Sequence, residues 1–539
     1  MFRKGCAIVA AFCMVAVTVF TIAGCGKEEP AGPATSMEVP QLDSGPISGE
    51  INGGVWTYLG IPYAAPPVGE LRWKEPQPVA TWEDVLPCND FGPACPQPPW
   101  PYPVISGIMD VGMTSEDCLY ANVWTPAESP DERMPVMVWI YGGGFTTGAS
   151  NISIYNGRHL AEQGIVAVSF NYRVGPFGFM AHPLLSEESP NGVSGNYGML
   201  DQIAALEWVQ ENVEAFGGDP DNVTIFGESA GGASVCNLMV SPLADGLFDR
   251  AIVQSGGFLD FGMPAGDDGN TLQIAERTGQ KIAEDLGVED AEDVLAAMRG
   301  KTPQELLDAA AQQTSALGMM DLGPVIDGWA LPDRPAALFA AGAQQSAPLL
   351  IGTNANEGAY FAQDMTLDQY QLMLRFIYGD YADRVFALFP ADSDEQVKPA
   401  FIRLLTEMGF AAGSVFAASS MAAVDAPVYL YEFTKSSSDP NLEGLGAFHG
   451  IEITYVFGNA DQVPQVTPSE EDVALSEAMM AYWVNFAATG DPNGEGMPEW
   501  PAYSSETDRY QSLGAAISTE SGYYPDAYDL VLEINDLSP

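Results

Sequence analysis

Residues 222–234 read Asn-Val-Thr-Ile-Phe-Gly-Glu-Ser-Ala-Gly-Gly-Ala-Ser, and no other stretch of the chain constrains the fold so tightly. An apolar, partly β-branched run enters Gly227-Glu228-Ser229-Ala230-Gly231, and a helix-forming run leaves it. Glycines two before and two after the serine permit a sharp strand-to-helix turn that a Cβ would obstruct, leaving Ser229 exposed at its tip. A bare Gly-x-Ser-x-Gly also occurs as a plain turn before a helix. The strand on one side and the helix on the other are what an exposed nucleophile demands. The reading therefore requires a sheet whose strands alternate with helices.

The rest of the chain supplies one. Met134–Tyr141, Ile165–Asn171, Val223–Phe226, Ala251–Gln254, Pro348–Gly352 and Val428–Phe433 are β-rich runs bounded by Gly, Pro or Asn. Most are continuously apolar, which suits parallel strands buried on both faces. Met199, Ile203, Leu206, Val209, Val213 and Phe216 recur at three- and four-residue steps and predict one apolar helix face. Strand, helix, strand in this order argues a large, mostly parallel sheet covered by helices. Residues from about Thr271 to Gly318 predict a helix-rich insertion that caps one end. Residues 41–539 contain no further linker or repeat and read as one catalytic domain.

A serine hydroxyl is a weak nucleophile, so a base must take its proton, and histidine is poised for that near neutral pH. The chain has three histidines: His159 on a polar helical stretch, His182 before Pro183, and His449 in the loop Gly446-Ala-Phe-His-Gly450. In this motif class the base follows the serine in chain order, which leaves His449, with His159 and His182 as surface or loop-packing residues. The pH–rate profile is then expected to rise through a base of pKa about 6 to 7. The acid belongs between them, and Pro348-Leu-Leu-Ile-Gly-Thr-Asn-Ala-Asn-Glu presents Glu357 just past a buried strand. Its task would be to fix the imidazole tautomer and stabilise the imidazolium, though among 72 acidic residues position alone leaves a helix-capping or surface carboxylate as the alternative. Gly142-Gly143-Gly144 follows the strand starting at Met134, where amides can turn toward a developing oxyanion; Gly143, Gly144 and the amide of Ala230 are the expected donors. No Gly-x-Gly-x-x-Gly fits this run, and Gly300-Lys301-Thr302 lacks the upstream glycine of a P-loop, so nucleotide binding is disfavoured.

These segments, with Gly60-Ile-Pro-Tyr-Ala-Ala-Pro-Pro-Val-Gly-Glu-Leu-Arg-Trp73, Glu116-Asp-Cys-Leu-Tyr-Ala-Asn-Val123, Asn171-Tyr-Arg-Val-Gly175 and Gln254-Ser-Gly256, resemble the type-B carboxylesterases, the family of carboxylesterases, para-nitrobenzyl esterases and cholinesterases. The matches span about residues 44 to 503. The resemblance implies an α/β-hydrolase fold with inserted helical cap segments, a Ser229, Glu357, His449 triad, hydrolysis of small-molecule carboxylic esters through an acyl-enzyme, and neither cofactor nor metal. It also implies a disulfide between Cys95 and Cys118, closing a proline-rich loop around Trp100. The tryptophan that cholinesterases carry shortly before the second cysteine is missing from Gly107-Ile-Met-Asp-Val-Gly-Met-Thr-Ser-Glu-Asp117, which argues against a choline ester. Alternatives within and outside the enzyme class are a long-chain lipase and a catalytically silent binding module, though silent members lose the serine.

The N-terminus reads as an export signal: Arg3 and Lys4, an apolar run from Ala7 to Ala23, then Ile22-Ala23-Gly24-Cys25. The last four resemble a bacterial lipobox, which implies cleavage of residues 1–24 and a lipid anchor on Cys25; an ordinary secretory signal or an uncleaved anchor are the plainer readings. Gly26 in place of Asp implies, by analogy, the outer membrane where the host has one. Residues 25–40 are proline-rich and polar and read as a tether. No later segment has an uninterrupted apolar stretch long enough to span a bilayer. Twenty Lys and Arg against 72 Asp and Glu give a formal net charge of −52, which repels phosphate backbones and argues against nucleic acid as a partner. The same charge leads us to expect neutral, short- to medium-acyl esters as substrates.

Overall fold

Buried β-branched and aromatic runs become the strands of one sheet. The computed structural model describes residues 37–100, 108–257, 270–314, 322–436, 442–462 and 467–537. The signal, Cys25 and most of the tether lie outside the described residues. Packing begins before the tether's expected end at residue 40: Met37 is buried, and the Tyr58 hydroxyl donates to its carbonyl.

In the main sheet β1 is Glu50–Asn52, β2 Val55–Pro62, β3 Tyr120–Thr125, β4 Met134–Ile140, β5 Val166–Phe170 and β6 Gly218–Glu228. Then come β7 Arg250–Gln254, β8 Leu349–Asn354, β9 Val428–Phe433, β10 Arg509–Leu513 and β11 Ile517–Ser521. The spatial order is β11-β10-β9-β8-β7-β6-β4-β5-β3-β2-β1. The run from β10 to β5 is parallel, and the outer pairs are antiparallel. All six strands expected from the sequence lie in the parallel run, and every residue of β5, β8 and β9 is buried. β4 continues in space to β5 on one side, while β6 begins the march to β7 and β8 on the other. Where such an order reverses, the carboxyl ends of neighbouring strands leave a crevice.

The helix expected at residues 199–216 is α1, Tyr197–Asn212, followed by a 3₁₀ turn. It is buried on nearly all sides rather than along one stripe, because its polar positions have internal partners. Asp201 pairs with Arg173 at 2.7 Å, and Gln202 donates to the hydroxyl of Ser234 at 3.0 Å. Ser234 belongs to α2, Ala230–Val240. The insertion forms α3 Leu272–Asp285, α4 Val294–Arg299 and α5 Pro303–Ala310. Arg72 ties it down: its guanidinium donates to the carbonyls of Met298, Arg299 and Lys301 and pairs with Glu116 at 2.5 Å. A further long helical run spans Asp394–Ala423, with a π-helical segment at Leu405–Ala411. By length and composition alone it could cross a membrane, but charged residues such as Arg403 and Glu407 interrupt it and 83% of its apolar window is buried inside the protein.

Candidate active site

Four strand ends meet at the crevice. Ser229 stands between β6 and α2 with φ 57° and ψ −123°, a backbone conformation that is costly for a residue with a Cβ. Its N–H donates to the Gln254 carbonyl at 2.9 Å, and its own carbonyl accepts from Ala233 at 2.9 Å. The flanking glycines explain the sharpness of the turn. A Cβ on Gly231 would lie 2.0 Å from the Ile140 carbonyl oxygen, and one on Gly227 would lie 2.5 Å from the Gly231 carbonyl. Gly142 is as close: its Cβ would meet that of Ser229 at 2.9 Å.

The glycine run after β4 therefore lines the serine. Gly143 and Gly144 have φ of 111° and 62°, and Phe145 follows at 59°. Among the described residues, the N–H groups of Gly143, Gly144 and Ala230 make no hydrogen bond. Unpaired amides grouped beside a half-buried hydroxyl are ready to receive a negatively charged oxygen.

Glu357 follows β8 and is fully buried. One carboxylate oxygen lies 2.6 Å from His449 Nδ1; the other accepts from the Ser255 hydroxyl at 2.5 Å and the Asn354 amide at 2.7 Å. On the opposite side of the ring, His449 Nε2 is 3.2 Å from Oε1 of Glu228, an oxygen with no hydrogen-bond partner among the described residues. A third carboxylate, Glu452, accepts from Gln254 at 3.1 Å and from Asn354 at 2.5 Å, and Gln254 in turn accepts from Trp483 at 3.1 Å.

Burial disfavours the charged imidazole, yet Glu228, Glu357 and Glu452 outweigh it and push His449 up to about 9. Burial, with Glu452 and Glu357 nearby, pushes Glu228 up to about 8 against the pull of His449. These two shifts compete, since a neutral Glu228 withdraws part of the charge that lifts the histidine; the pair titrates together. The upward direction for His449 stands on the hydrogen bond that its Nδ1–H donates to Glu357. Rings of Phe410, Phe361 and Tyr360 surround the imidazole at centroid distances of 4.9, 5.0 and 6.0 Å. Trp100 donates to the Tyr360 hydroxyl at 2.8 Å and so links the proline-rich loop to this wall.

The other two histidines stand apart from this cluster. His159 is exposed beside Glu162, and His182 caps a helix by accepting from Leu184 N–H. The disulfide implied by the resemblance is not formed. Cys88, Cys95, Cys118 and Cys236 are free and buried, and the hydrogen bond that the Cys118 thiol donates to Cys95, together with burial, holds Cys118 well above its ordinary range. Sequence reasoning missed Glu228, Ser255, Asn354 and Glu452 as site residues. Glu228 is the variable position of Gly-x-Ser, Ser255 and Asn354 lie in motifs already singled out, and Glu452 is three residues past His449. No elementary pattern marks a buried carboxylate among 72 acidic residues.

The carboxylesterase family model matches residues 35–531. Relatives include a fumonisin B1 esterase of Sphingopyxis macrogoltabida, 38% identical over 90% of this chain and 88% of the relative. A para-nitrobenzyl esterase of Bacillus subtilis is 37% identical over 88% of this chain and 95% of its own length. The acetylcholinesterase of Electrophorus electricus is 36% identical over 85% of this chain and 81% of its own. A solved para-nitrobenzyl esterase structure superposes with a TM-score of 0.80 at 35% identity, covering 92% of this chain and 99% of that one. The chain belongs to the carboxylesterase family and is a carboxylic-ester hydrolase on the α/β-hydrolase fold.

Proposed function

We propose that the chain hydrolyses esters through an acyl-enzyme on Ser229, with His449 as general base and Glu357 as the acid that orients it. The observation that carries this reading is the 2.6 Å contact between His449 Nδ1 and buried Glu357, which leaves Nε2 on the side of the elbow residue Glu228, next in sequence to Ser229. Ser229 Oγ bonds to the ester carbonyl carbon while its proton passes to Nε2. The tetrahedral oxyanion rests on the amides of Gly143, Gly144 and Ala230. Collapse breaks the bond to the alcohol, which leaves with the proton from Nε2. Water then attacks the acyl group by the same route and frees Ser229.

The substrates we propose are neutral esters of short to medium acyl chains. What supports this is long-range repulsion of anions by a chain of net charge −52, together with the aromatic wall of Tyr360, Phe361 and Phe410 beside the base. We also propose export with a lipid anchor at Cys25, on the strength of the lipobox-like end of the leader; Cys25→Ser should then leave the membrane fraction or stay unprocessed, and unchanged membrane partition would refute it.

The decisive experiment pairs labelling with kinetics. A fluorophosphonate should mark Ser229 alone, and Ser229→Ala should lose at least about a thousandfold in kcat while folding normally. Label on Ser255, or a mutant with normal turnover, would overturn the assignment. On the same enzyme, kcat/KM should favour para-nitrophenyl acetate and butyrate over palmitate and over a carboxylate-bearing ester of matched size. A palmitate preference would move the reading to a lipase.

A further inference from the structure

Four donors converge on one carbonyl beside the elbow. The Gly143 oxygen accepts from the backbone amides of Thr146 and Thr147 at 3.2 and 3.1 Å, and from their hydroxyls at 3.3 and 3.0 Å. A carbonyl oxygen offers two lone pairs, and the two amides alone would satisfy it. The hydroxyls are surplus to the turn. Their effect is to hold the oxygen in one direction.

That direction has a consequence one bond away. The peptide between Gly143 and Gly144 is planar and trans, so the Gly144 N–H points opposite to the Gly143 carbonyl. Pinning the carbonyl toward the threonines turns the Gly144 amide away from them, and it is one of three amides near Ser229 with no partner among the described residues. Thr147 is the better placed of the two threonines, being 4% exposed and shut against Gly143. A Cβ on Gly143 would come 2.3 Å from the Thr147 carbonyl oxygen and 2.8 Å from its hydroxyl, so the clamp needs glycine there. The following residue bears strain as well. Phe145 keeps φ 59° because its carbonyl accepts from Gly175 at 2.7 Å and its ring packs edge-on against Phe179 at 5.3 Å. A turn with two glycines and a phenylalanine at positive φ persists only where its surroundings over-determine it.

Resting on the esterase reading, we infer that Thr147 is a positioning residue: by locking the Gly143 carbonyl it aims the Gly144 amide at the oxyanion. Without the hydroxyl, the peptide can rock and its donor must reorient as charge develops. Preorganised donors avoid that reorganisation, and the loss falls on the transition state rather than on substrate binding.

The test compares Thr147→Val, which keeps the shape and removes the hydroxyl, with Thr147→Ser, which keeps the hydroxyl. With para-nitrophenyl acetate, Thr147→Val should lower kcat about tenfold, a fraction of the 10²–10³ typical of losing an oxyanion donor outright, with KM unchanged. Affinity for a trifluoromethyl ketone, which forms an oxyanion adduct on Ser229, should fall by the same factor as kcat/KM. Thr147→Ser should restore both, and Thr147→Ala, which removes the hydroxyl without the second methyl, should repeat the valine result if valine fails to fold. Equal losses in the valine and serine variants, a change confined to KM, or unmoved ketone affinity would overturn the inference. A wild-type enzyme that neither turns over esters nor takes a fluorophosphonate would instead overturn the esterase reading beneath it.

Discussion

At Glu228 a buried carboxylate meets the histidine nitrogen that we propose accepts the serine proton, 3.2 Å away. Its charge favours imidazolium, and a base already protonated cannot act. With His449 pushed up to about 9, activity should climb with pH later than the 6 to 7 expected from an ordinary histidine. Glu228→Gln removes one charge and keeps the shape, so the acidic limb of kcat/KM should move down by roughly one pH unit while the plateau rate changes little. Full pH profiles of both enzymes check this. A limb that stays in place would mean that Glu357 alone sets the base. Sequence reading could name Ser229 and His449 because motif, chain order and a scarcity of histidines single them out, and Glu357 because the family resemblance implies an acid there. It had no comparable handle on Glu228, whose meaning comes from the distance to a residue 221 positions later and from an oxygen with no hydrogen bond among the described residues.

The elements that carry the site were legible for a related reason. Strands buried on both faces have a composition that surface patterns cannot imitate, so β4 to β9 could be read directly. The helix α1 misled at its edges, since apolar spacing marks the positions that must be buried but cannot mark Asp201 and Gln202, which are buried because Arg173 and Ser234 await them. The disulfide implied by the family resemblance failed for another reason: a resemblance can nominate Cys95 and Cys118, but it does not form the bond, and both thiols are free, with Cys118 hydrogen-bonded to Cys95. The elbow offers the sharpest test at this scale. Gly231→Ala would drive a Cβ to 2.0 Å from a backbone oxygen of β4, which cannot yield as a side-chain tip would. It should destabilise the protein by about 3 kcal/mol or more, at or beyond the top of the range for overpacked cores, and lower the denaturant midpoint accordingly. A midpoint equal to wild type would show that β4 and α2 are less tightly apposed.

For the molecule as a whole, acidity dominates. Twenty cationic residues face 72 acidic ones, and Arg72, Arg133, Arg158, Arg173, Arg299, Arg384 and Arg403 have carboxylate partners, so cations are too few to pair with most of the acids. The buried groups add a definite sign. Burial pushes Glu228 up to about 8 and Glu452 up to about 7, and it raises Glu432 and Glu407 as well. The folded chain thus holds these protons more tightly than the unfolded one. Their contribution is complete below the ordinary value of 4.5 and is lost as pH rises through the folded values. His449 adds the same sign at higher pH, complete below 6.5 and lost on approaching about 9. Opposing them, Glu188 is held low chiefly by its hydrogen bond from Arg299, and its contribution disappears only as pH falls below 4.5. Stability should therefore peak near about pH 5 and decline steadily toward pH 9. Added salt should lift the alkaline side by screening the net charge, while leaving the part due to buried groups in place. Melting temperatures from about pH 4 to 9 at low and at roughly half-molar salt test both statements. A melting temperature that is flat or rising between pH 5 and 9 would show that the buried carboxylates are stabilised in their charged forms, and the low-pH stabilisation argued from their burial would then be wrong.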